Sequence, residues 1–278
     1  MLSVTELLHP SHQRVLVAAH RGAWRWAPEN SLPAIDEAVA LGADIVELDV
    51  RATADDVLVL MHDADLARMT TLAGLVSHTP YAALRQARLK AGDGGADAVA
   101  TSHAVPTLAQ ALEASRGRIT VNIDTKDMAL ADRIAQAVVA AGLCDQVFVK
   151  ATVTAPAHLQ QVSASPFFGR VPFVPITQAL PGRFAHDLQW MQALGCPMYE
   201  VAFTELQALR AGLPELQRQQ ARLWVNTIDC SHSLDFCDSR ARSNPDAVWG
   251  LLIDLGVGAI QTDEVDRLVA YLQARGLR

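Results

Sequence analysis

The chain has 278 residues, half of them hydrophobic, enough to bury a sizeable core as one large domain or two small ones. Its formal charge of −7 and pI near 5.7 argue against nucleic-acid binding, which calls for a basic patch. No apolar run reaches the roughly 18 residues of a membrane span, so no stable membrane insertion is expected.

Residues 1–14 are mixed and polar, without the basic and apolar regions of a secretory signal. The four cysteines, Cys144, Cys196, Cys230 and Cys237, match no zinc or redox spacing. They read as reduced thiols of a cytoplasmic protein, with a Cys230–Cys237 bridge as the competing reading.

Strand and helix patterns then alternate along the chain. A strand is expected over 15–19 and a helix over 31–41, with Ser31 as its cap and Gly42 at its end. A second strand covers 44–50, and 57–61 returns as a hairpin arm after Asp55-Asp56. Residues 64–117 are less regular and read as a small insertion, with helices over 79–88 and 107–114. Strand 118–124 and helix 129–141 follow, then strand 146–150 and a helix near 155–163. Strand 171–174, helix 184–194, strand 198–202 and a helix near 213–220 continue the pattern. Strand 222–228, helix 247–255, strand 259–262 and helix 264–274 complete it. Leaving out the hairpin arm, eight strands are each followed by a helix, with no linker dividing residues 1–278. That count predicts one (β/α)8 TIM-barrel domain with a small insertion after the second strand. The competing architecture, an open doubly wound sheet, calls for an early Gly-rich phosphate loop that this chain lacks.

Residues 43–50 carry the chemistry most plainly. Side chains alternate along a strand, so Val46, Leu48 and Val50 share one face, and Ile45, Glu47 and Asp49 share the other. Two carboxylates at about 4 Å repel by about 4 kcal/mol at an effective dielectric near 20, which favours a cation between them. Glu47 and Asp49 therefore read as half of a divalent-metal site. In a TIM barrel, functional groups gather where strands end. The strand ends offer His20 and Arg21, Glu47 and Asp49, His62 at the hairpin arm, then Asn122, Asp124 and Lys126, Lys150, Glu200, Trp224 with Asn226, and Asp263.

This set suits a phosphodiester. Glu47, Asp49 and Asp124 are hard oxygen ligands for one divalent cation, Mg2+ or Ca2+. Arg21 and Lys126 supply fixed positive charge for phosphate oxygens. His20 and His62 can exchange protons near neutral pH. Trp24, Trp26 and Trp224 are read either as an apolar wall for the alcohol or as ordinary packing, and Lys150 and Glu200 as rim residues. Glu29 and Asn30 are read as structural, bracing the loop or capping the following helix rather than touching substrate. A second reading of the carboxylates makes them ion-pair partners of Arg21 and Lys126 without metal.

The same stations resemble the glycerophosphodiester phosphodiesterase family. They are His20-Arg21-Gly22, Pro28-Glu29-Asn30-Ser31, Glu47-Leu48-Asp49-Val50, and His62-Asp63 followed by Leu66, Arg68 and Thr70. Pro106-Thr107-Leu108, Asn122-Ile123-Asp124-Thr125-Lys126, Leu223-Trp224-Val225-Asn226-Thr227 and Gly258-Ala259-Ile260-Gln261-Thr262-Asp263 follow in order. The resemblance implies a TIM barrel, one divalent cation and hydrolysis of a small-molecule glycerophosphodiester to sn-glycerol 3-phosphate and an alcohol. It implies His20 and His62 as general acid and base, Arg21 and Lys126 on phosphate, and Glu47 and Asp49 on metal. Two positions depart from the family pattern. Asp124 stands where Glu is usual, one methylene shorter, and Val265 stands where Pro is usual. The histidine pair, with the family's similarity to phosphatidylinositol-cleaving phospholipases, motivates a two-step route through a cyclic phosphate; direct attack by water is the rival. A lysophospholipase D or sphingomyelinase D type of lipid phosphodiesterase is the alternative activity. A non-catalytic barrel that binds a phosphorylated metabolite is the alternative of another class.

Overall fold

The computed structural model describes residues 1–125 and 127–278. Eight parallel strands close into a barrel: β1 (Leu16–Ala19), β2 (Ile45–Ala52), β4 (Thr120–Thr125), β5 (Val147–Thr152), β6 (Phe173–Ala179), β7 (Met198–Phe203), β8 (Arg222–Ile228) and β10 (Val257–Thr262). Closure comes from β1, which pairs in parallel with β10 on one side and β2 on the other. Two short antiparallel strands lie outside the ring, β3 (Leu58–Leu60) on β2 and β9 (Ser231–His232) on β8. The barrel is thus the expected (β/α)8 architecture, with its helices packed around the ring.

The alternation of β2 sets the layers. Val46, Leu48 and Val50 face outward into the core between strands and helices. Ile45 faces into the barrel, where it joins Leu16, Phe148, Met198 and Trp224. That interior is closed from below by a helix at Val4–Leu8, whose Val4, Leu7 and Leu8 are buried. The helix starts in a segment whose polar character hides it. Its signal is a capping box: the Ser3 backbone N–H donates to Glu6 Oε2 at 2.9 Å, and the Glu6 N–H donates to Ser3 Oγ at 3.3 Å. The polar end of the barrel therefore sits on an apolar plug.

Besides the Val4–Leu8 helix, several elements differ from the sequence expectation, among them the helix expected over 79–88, which is confined to Tyr81–Leu84. A helix is expected near 213–220; it runs Leu206–Gln219, with Pro214 inside it. A strand is expected over 171–174; β6 runs Phe173–Ala179, continuing through Pro175, which lies beside Ala151 of β5. The loop expected after β8 contains β9 and a helix at Asp238–Ser243. The insertion packs its own small cluster, including Met61, Leu66, Met69 and Leu84, and returns to the barrel through the helix Leu108–Ser115. Among the described residues no helix is long and apolar enough to cross a membrane, and the four cysteines are free thiols.

Leu8 is wholly buried at the base of the barrel. Replacing it with alanine is expected to lower the unfolding free energy by about 2–5 kcal/mol, read from urea unfolding curves. A change within experimental error would show that the plug does not support the barrel.

Candidate active site

A cleft of about 510 Å³ opens at the C-terminal end of the barrel strands. Barrel register explains what meets there. In the β2–β4 ladder Glu47 lies beside Asn122, and Asp49 lies beside Asp124. One oxygen from each of Glu47, Asp49 and Asp124 falls within 4.8 Å of the others. Two oxygens that share a Ca2+ at about 2.4 Å lie at most about 4.8 Å apart, so the three can hold one hard cation. The shorter side chain of Asp124 still reaches this group.

The turn after β1 aims two further residues at the cluster. Arg21 and Gly22 both have positive φ, 56° and 83°. A side chain at Gly22 would place its Cβ 2.7 Å from Ala34 Cβ and 2.9 Å from the Ala34 carbonyl, so this close approach needs glycine. Arg21 tolerates its conformation because both backbone groups are engaged. Its N–H donates to Glu47 Oε2 at 2.9 Å, and its carbonyl accepts from Asn30 N at 2.8 Å.

The segment Pro28-Glu29-Asn30-Ser31 is a set of braces. Glu29 accepts from Arg21 Nη1 at 2.8 Å and from Arg68 Nη2 at 2.7 Å. Asn30 clasps Asp49 twice: its Nδ2 donates to Asp49 Oδ2 at 2.8 Å, and its Oδ1 accepts from Asp49 N at 2.9 Å. Arg21 Nε lies 3.4 Å from the same Asp49 oxygen. Ser31 caps the following helix by accepting from Ala34 N, and its hydroxyl donates to the Pro28 carbonyl at 2.6 Å. These contacts support the structural reading of Glu29 and Asn30.

Both histidines line the cleft and both are anchored through Nδ1. His20 meets Asp263 Oδ1 at 2.8 Å. Burial of the ring opposes its protonation, but the hydrogen bond and charge of Asp263, with Glu47 adding to them, outweigh it and raise the His20 pKa. His62 meets Asp63 Oδ1 at 2.6 Å. Arg68 grips Asp63 with Nε at 2.6 Å from Oδ2 and holds that carboxyl far below the usual range. Arg51 fixes the His62 carbonyl from Nε at 2.8 Å and from Nη2 at 2.6 Å.

Asp263 is itself positioned by a residue that no spacing in the sequence marks. Asp238 is buried at the start of the Asp238–Ser243 helix. Its Oδ1 accepts from the Thr227 and Thr262 hydroxyls, each at 2.7 Å, and its Oδ2 accepts from Asp263 N at 2.8 Å. Burial pushes its pKa up to about 7 despite these three donors.

On β5, beside Asp124 in the β4–β5 ladder, Lys150 is wholly buried with Nζ 2.5 Å from Glu200 Oε2 and 3.3 Å above the centre of the Trp224 ring. Burial lowers its pKa, and Glu200 opposes the shift incompletely. Asn226 Nδ2 donates to Glu200 Oε1 at 2.8 Å, and Trp224 Nε1 donates to Asn226 Oδ1 at 2.9 Å. Glu200, read as a rim residue, is therefore part of the floor. Trp224 is sealed beneath Lys150. Trp24 is absent from the cleft lining; its indole N–H donates to the His20 carbonyl at 3.1 Å. Trp26 is exposed beside a separate surface depression. Lys126 lies outside the described residues.

The Asp238 environment makes a pH prediction. A carboxyl whose pKa rises from 3.8 to about 7 on folding binds its proton more tightly in the native state, so its contribution to stability is lost as pH rises from about 4 to about 7. The loss is up to about 4 kcal/mol. Asp238→Asn is expected to remove this component. Urea unfolding of both proteins between pH 4 and pH 8 checks it; parallel stability curves would contradict it.

A model described as the glycerophosphoryl diester phosphodiesterase family matches residues 20–163, more than half of the chain. A second, described as a domain of unknown function, matches residues 173–272. A probable glycerophosphodiester phosphodiesterase 1 from Mycobacterium tuberculosis is 53% identical over 70 residues, 25% of this chain and 26% of that protein. The mouse glycerophosphodiester phosphodiesterase 1 is 37% identical over 130 residues, covering 45% and 39%. The chain thus spans less than half the length of the curated relatives it matches. Among solved structures, a glycerophosphodiester phosphodiesterase from Agrobacterium tumefaciens aligns with TM-score 0.68 and 27% identity over 92% of this chain and 99% of that one. A glycerophosphoryl diester phosphodiesterase from Parabacteroides distasonis shares the fold, with TM-score 0.78 and 23% identity over 97% and 90%. With the family model covering the two histidines and the carboxylate cluster, the chain belongs to the glycerophosphoryl diester phosphodiesterase family.

Proposed function

We propose that this protein hydrolyses glycerophosphodiesters to sn-glycerol 3-phosphate and an alcohol, using His20 and His62 for proton transfer and a divalent cation, Mg2+ or Ca2+, held by Glu47, Asp49 and Asp124. The observation that carries the reading is a group of three carboxylate oxygens within 4.8 Å of one another, two of whose residues, Glu47 and Asp124, line one cleft with two anchored histidines. Family membership supports it. So does the shared fold of an Oleispira antarctica phosphodiesterase solved in complex with the product sn-glycerol-3-phosphate, with TM-score 0.68 and 21% identity over 95% of this chain and 99% of that one.

A cation at the carboxylates would polarise a phosphoryl oxygen and offset the charge that develops on it. Arg21, braced by Glu29, places fixed positive charge at the same wall. Lys126, which the family resemblance assigns to phosphate, is given the same role in this reading. With Nδ1 of His20 engaged by Asp263, Nε2 is the nitrogen that serves the substrate. In the proposed two-step route the vicinal glycerol hydroxyl forms a bond to phosphorus as its proton passes to one histidine. The bond to the alcohol breaks as the other histidine supplies a proton. Water then opens the cyclic phosphate with the two roles reversed.

His20→Ala and His62→Ala are each expected to lower kcat by about 10²–10⁴-fold, measured by enzymatic detection of released glycerol 3-phosphate. Chelation of divalent metal is expected to abolish turnover, and Mg2+ or Ca2+ to restore it. Undiminished turnover in either variant would remove that histidine from the mechanism, and chelator-insensitive turnover would remove the metal.

A further inference from the structure

Asp238 is a buried carboxyl that belongs neither to the carboxylate cluster nor to the cleft lining. Its three hydrogen-bond donors are neutral: the hydroxyls of Thr227 and Thr262 and the backbone N–H of Asp263. Taking a carboxyl out of water costs free energy that neutral donors offset only in part. What the fold gains is control over one short segment, residues 262–264.

That segment grips His20 twice. The Thr262 carbonyl accepts from His20 N at 3.3 Å, and Asp263 Oδ1 meets His20 Nδ1 at 2.8 Å. The Asp238–Ser243 helix grips the segment in turn. Asp238 Oδ1 takes the Thr262 hydroxyl and Oδ2 takes Asp263 N, so one carboxyl spans two consecutive residues. Arg242, four residues on and so on the same helix face, donates from Nη1 to Glu264 Oε1 at 2.8 Å. Arg25 and Arg267 hold the other Glu264 oxygen at 3.2 and 2.9 Å. Inside the segment, Thr262 Oγ1 accepts from Glu264 N at 2.9 Å.

The helix that begins next, Val265–Ala274, supplies little of this order. Glu264 at its N-cap makes no capping hydrogen bond through its side chain. Residue 265 is valine, so no proline ring presets φ at the first turn. The Asp263 side chain is 21% accessible, and a short side chain on a loosely held turn has several rotamers open to it. Thr227 ties the arrangement back to the barrel, since it lies on β8 and its hydroxyl is 3.2 Å from the Gln261 carbonyl of β10.

Resting on the role proposed above for His20, we infer that Asp238 is a positioning residue for that histidine and acts through Asp263. With Asp238 in place, Asp263 is held where it engages Nδ1, and Nε2 is left to exchange the proton with the diester. Without it, the 262–264 segment loosens, Asp263 is free to turn toward solvent, and the ring loses its fixed orientation and tautomer.

The test is Asp238→Ala in the full chain, made both in the wild type and in His20→Ala, with divalent metal present. The substrates are glycerophosphoglycerol and glycerophosphocholine, with glycerol 3-phosphate release read for each. Asp238→Ala is expected to lower kcat by about 10–100-fold, the scale of a misplaced reacting group, with KM changed by no more than about twofold. In the His20→Ala background the same change is expected to add no further loss, because residues that act as a unit are non-additive. Asp238→Asn keeps an oxygen for the Asp263 N–H and is expected to restore most of the rate. Thr227→Val, which cuts one of the three hydrogen bonds, is expected to show a smaller loss with the same dependence on His20, and it decides the matter if Asp238→Ala fails to fold. Wild-type turnover in the variants, or a loss as large without His20 as with it, would overturn the inference and leave the phosphodiesterase reading standing. A wild type that turns over neither substrate, or a fully active His20→Ala, would instead overturn the reading on which the inference rests. The geometry is then decided by the His20 Nδ1–H proton resonance, identified by its absence from His20→Ala. That resonance is expected downfield in the wild type and in Asp238→Asn and lost from Asp238→Ala; its persistence unchanged in Asp238→Ala would overturn the positioning role.

Discussion

Three carboxylates crowded into the mouth of one barrel are the constraint on which the rest of this structure depends. Each like-charged pair at about 4 Å costs about 4 kcal/mol at an effective dielectric near 20, so the surroundings must hold the oxygens in place against their repulsion. The Arg21 turn does this from β1, with its backbone on Glu47 and its guanidinium beside Asp49. Asn30 does it from the following loop, clasping Asp49 at both side chain and backbone. Glu29 then fixes Arg21 and reaches across to Arg68. Arg68 in turn restrains Asp63, which orients His62. The barrel end is therefore one connected polar network, and a cation is the partner its geometry favours.

The two histidines are supported by different means. His62 depends on the insertion, through Asp63 and Arg68. His20 depends on the last third of the chain: Asp263 anchors the ring, and Asp238, with Thr227 and Thr262, anchors Asp263. Burial pushes the Asp238 carboxyl up, and its two oxygens accept the three hydrogen bonds that tie Thr227, Thr262 and the Asp263 backbone together. The apolar plug below keeps the polar layer at the mouth. Trp224 links the two layers, apolar on the side that meets Phe148 and covered by Lys150 on the other.

Much of this is legible in the residues. The alternation of Glu47 and Asp49 with Val46, Leu48 and Val50 separates site from core, and the packing clusters outside and inside the barrel follow that division. Ser31 announces its helix, and the His20-Arg21-Gly22 and Pro28–Ser31 blocks lie at strand ends where a barrel needs them. What escapes sequence reading is contact across the ring. Nothing in the spacing of Lys150 and Glu200, 50 residues apart, reveals that they meet. The same holds for Asp238 and Asp263, which meet only because the Asp238–Ser243 helix folds over the end of β10. The helix at Val4–Leu8 is different: Ser3 and Glu6 encode its cap, but its few apolar residues gain meaning only once the barrel offers an open base. The helix expected near 213–220 begins earlier, at Leu206, because tertiary packing tolerates Pro214 inside it.

The account stands on the cation. Isothermal titration of Mg2+ and of Ca2+ into metal-free protein, alongside Asp49→Asn, tests it most directly. One cation bound per chain, with binding lost or weakened at least about tenfold in the variant, is the result predicted for carboxylates that ligate directly. Absence of binding by both ions, or binding that Asp49→Asn leaves intact, would contradict it and return the three carboxylates to an ion-pair network with Arg21.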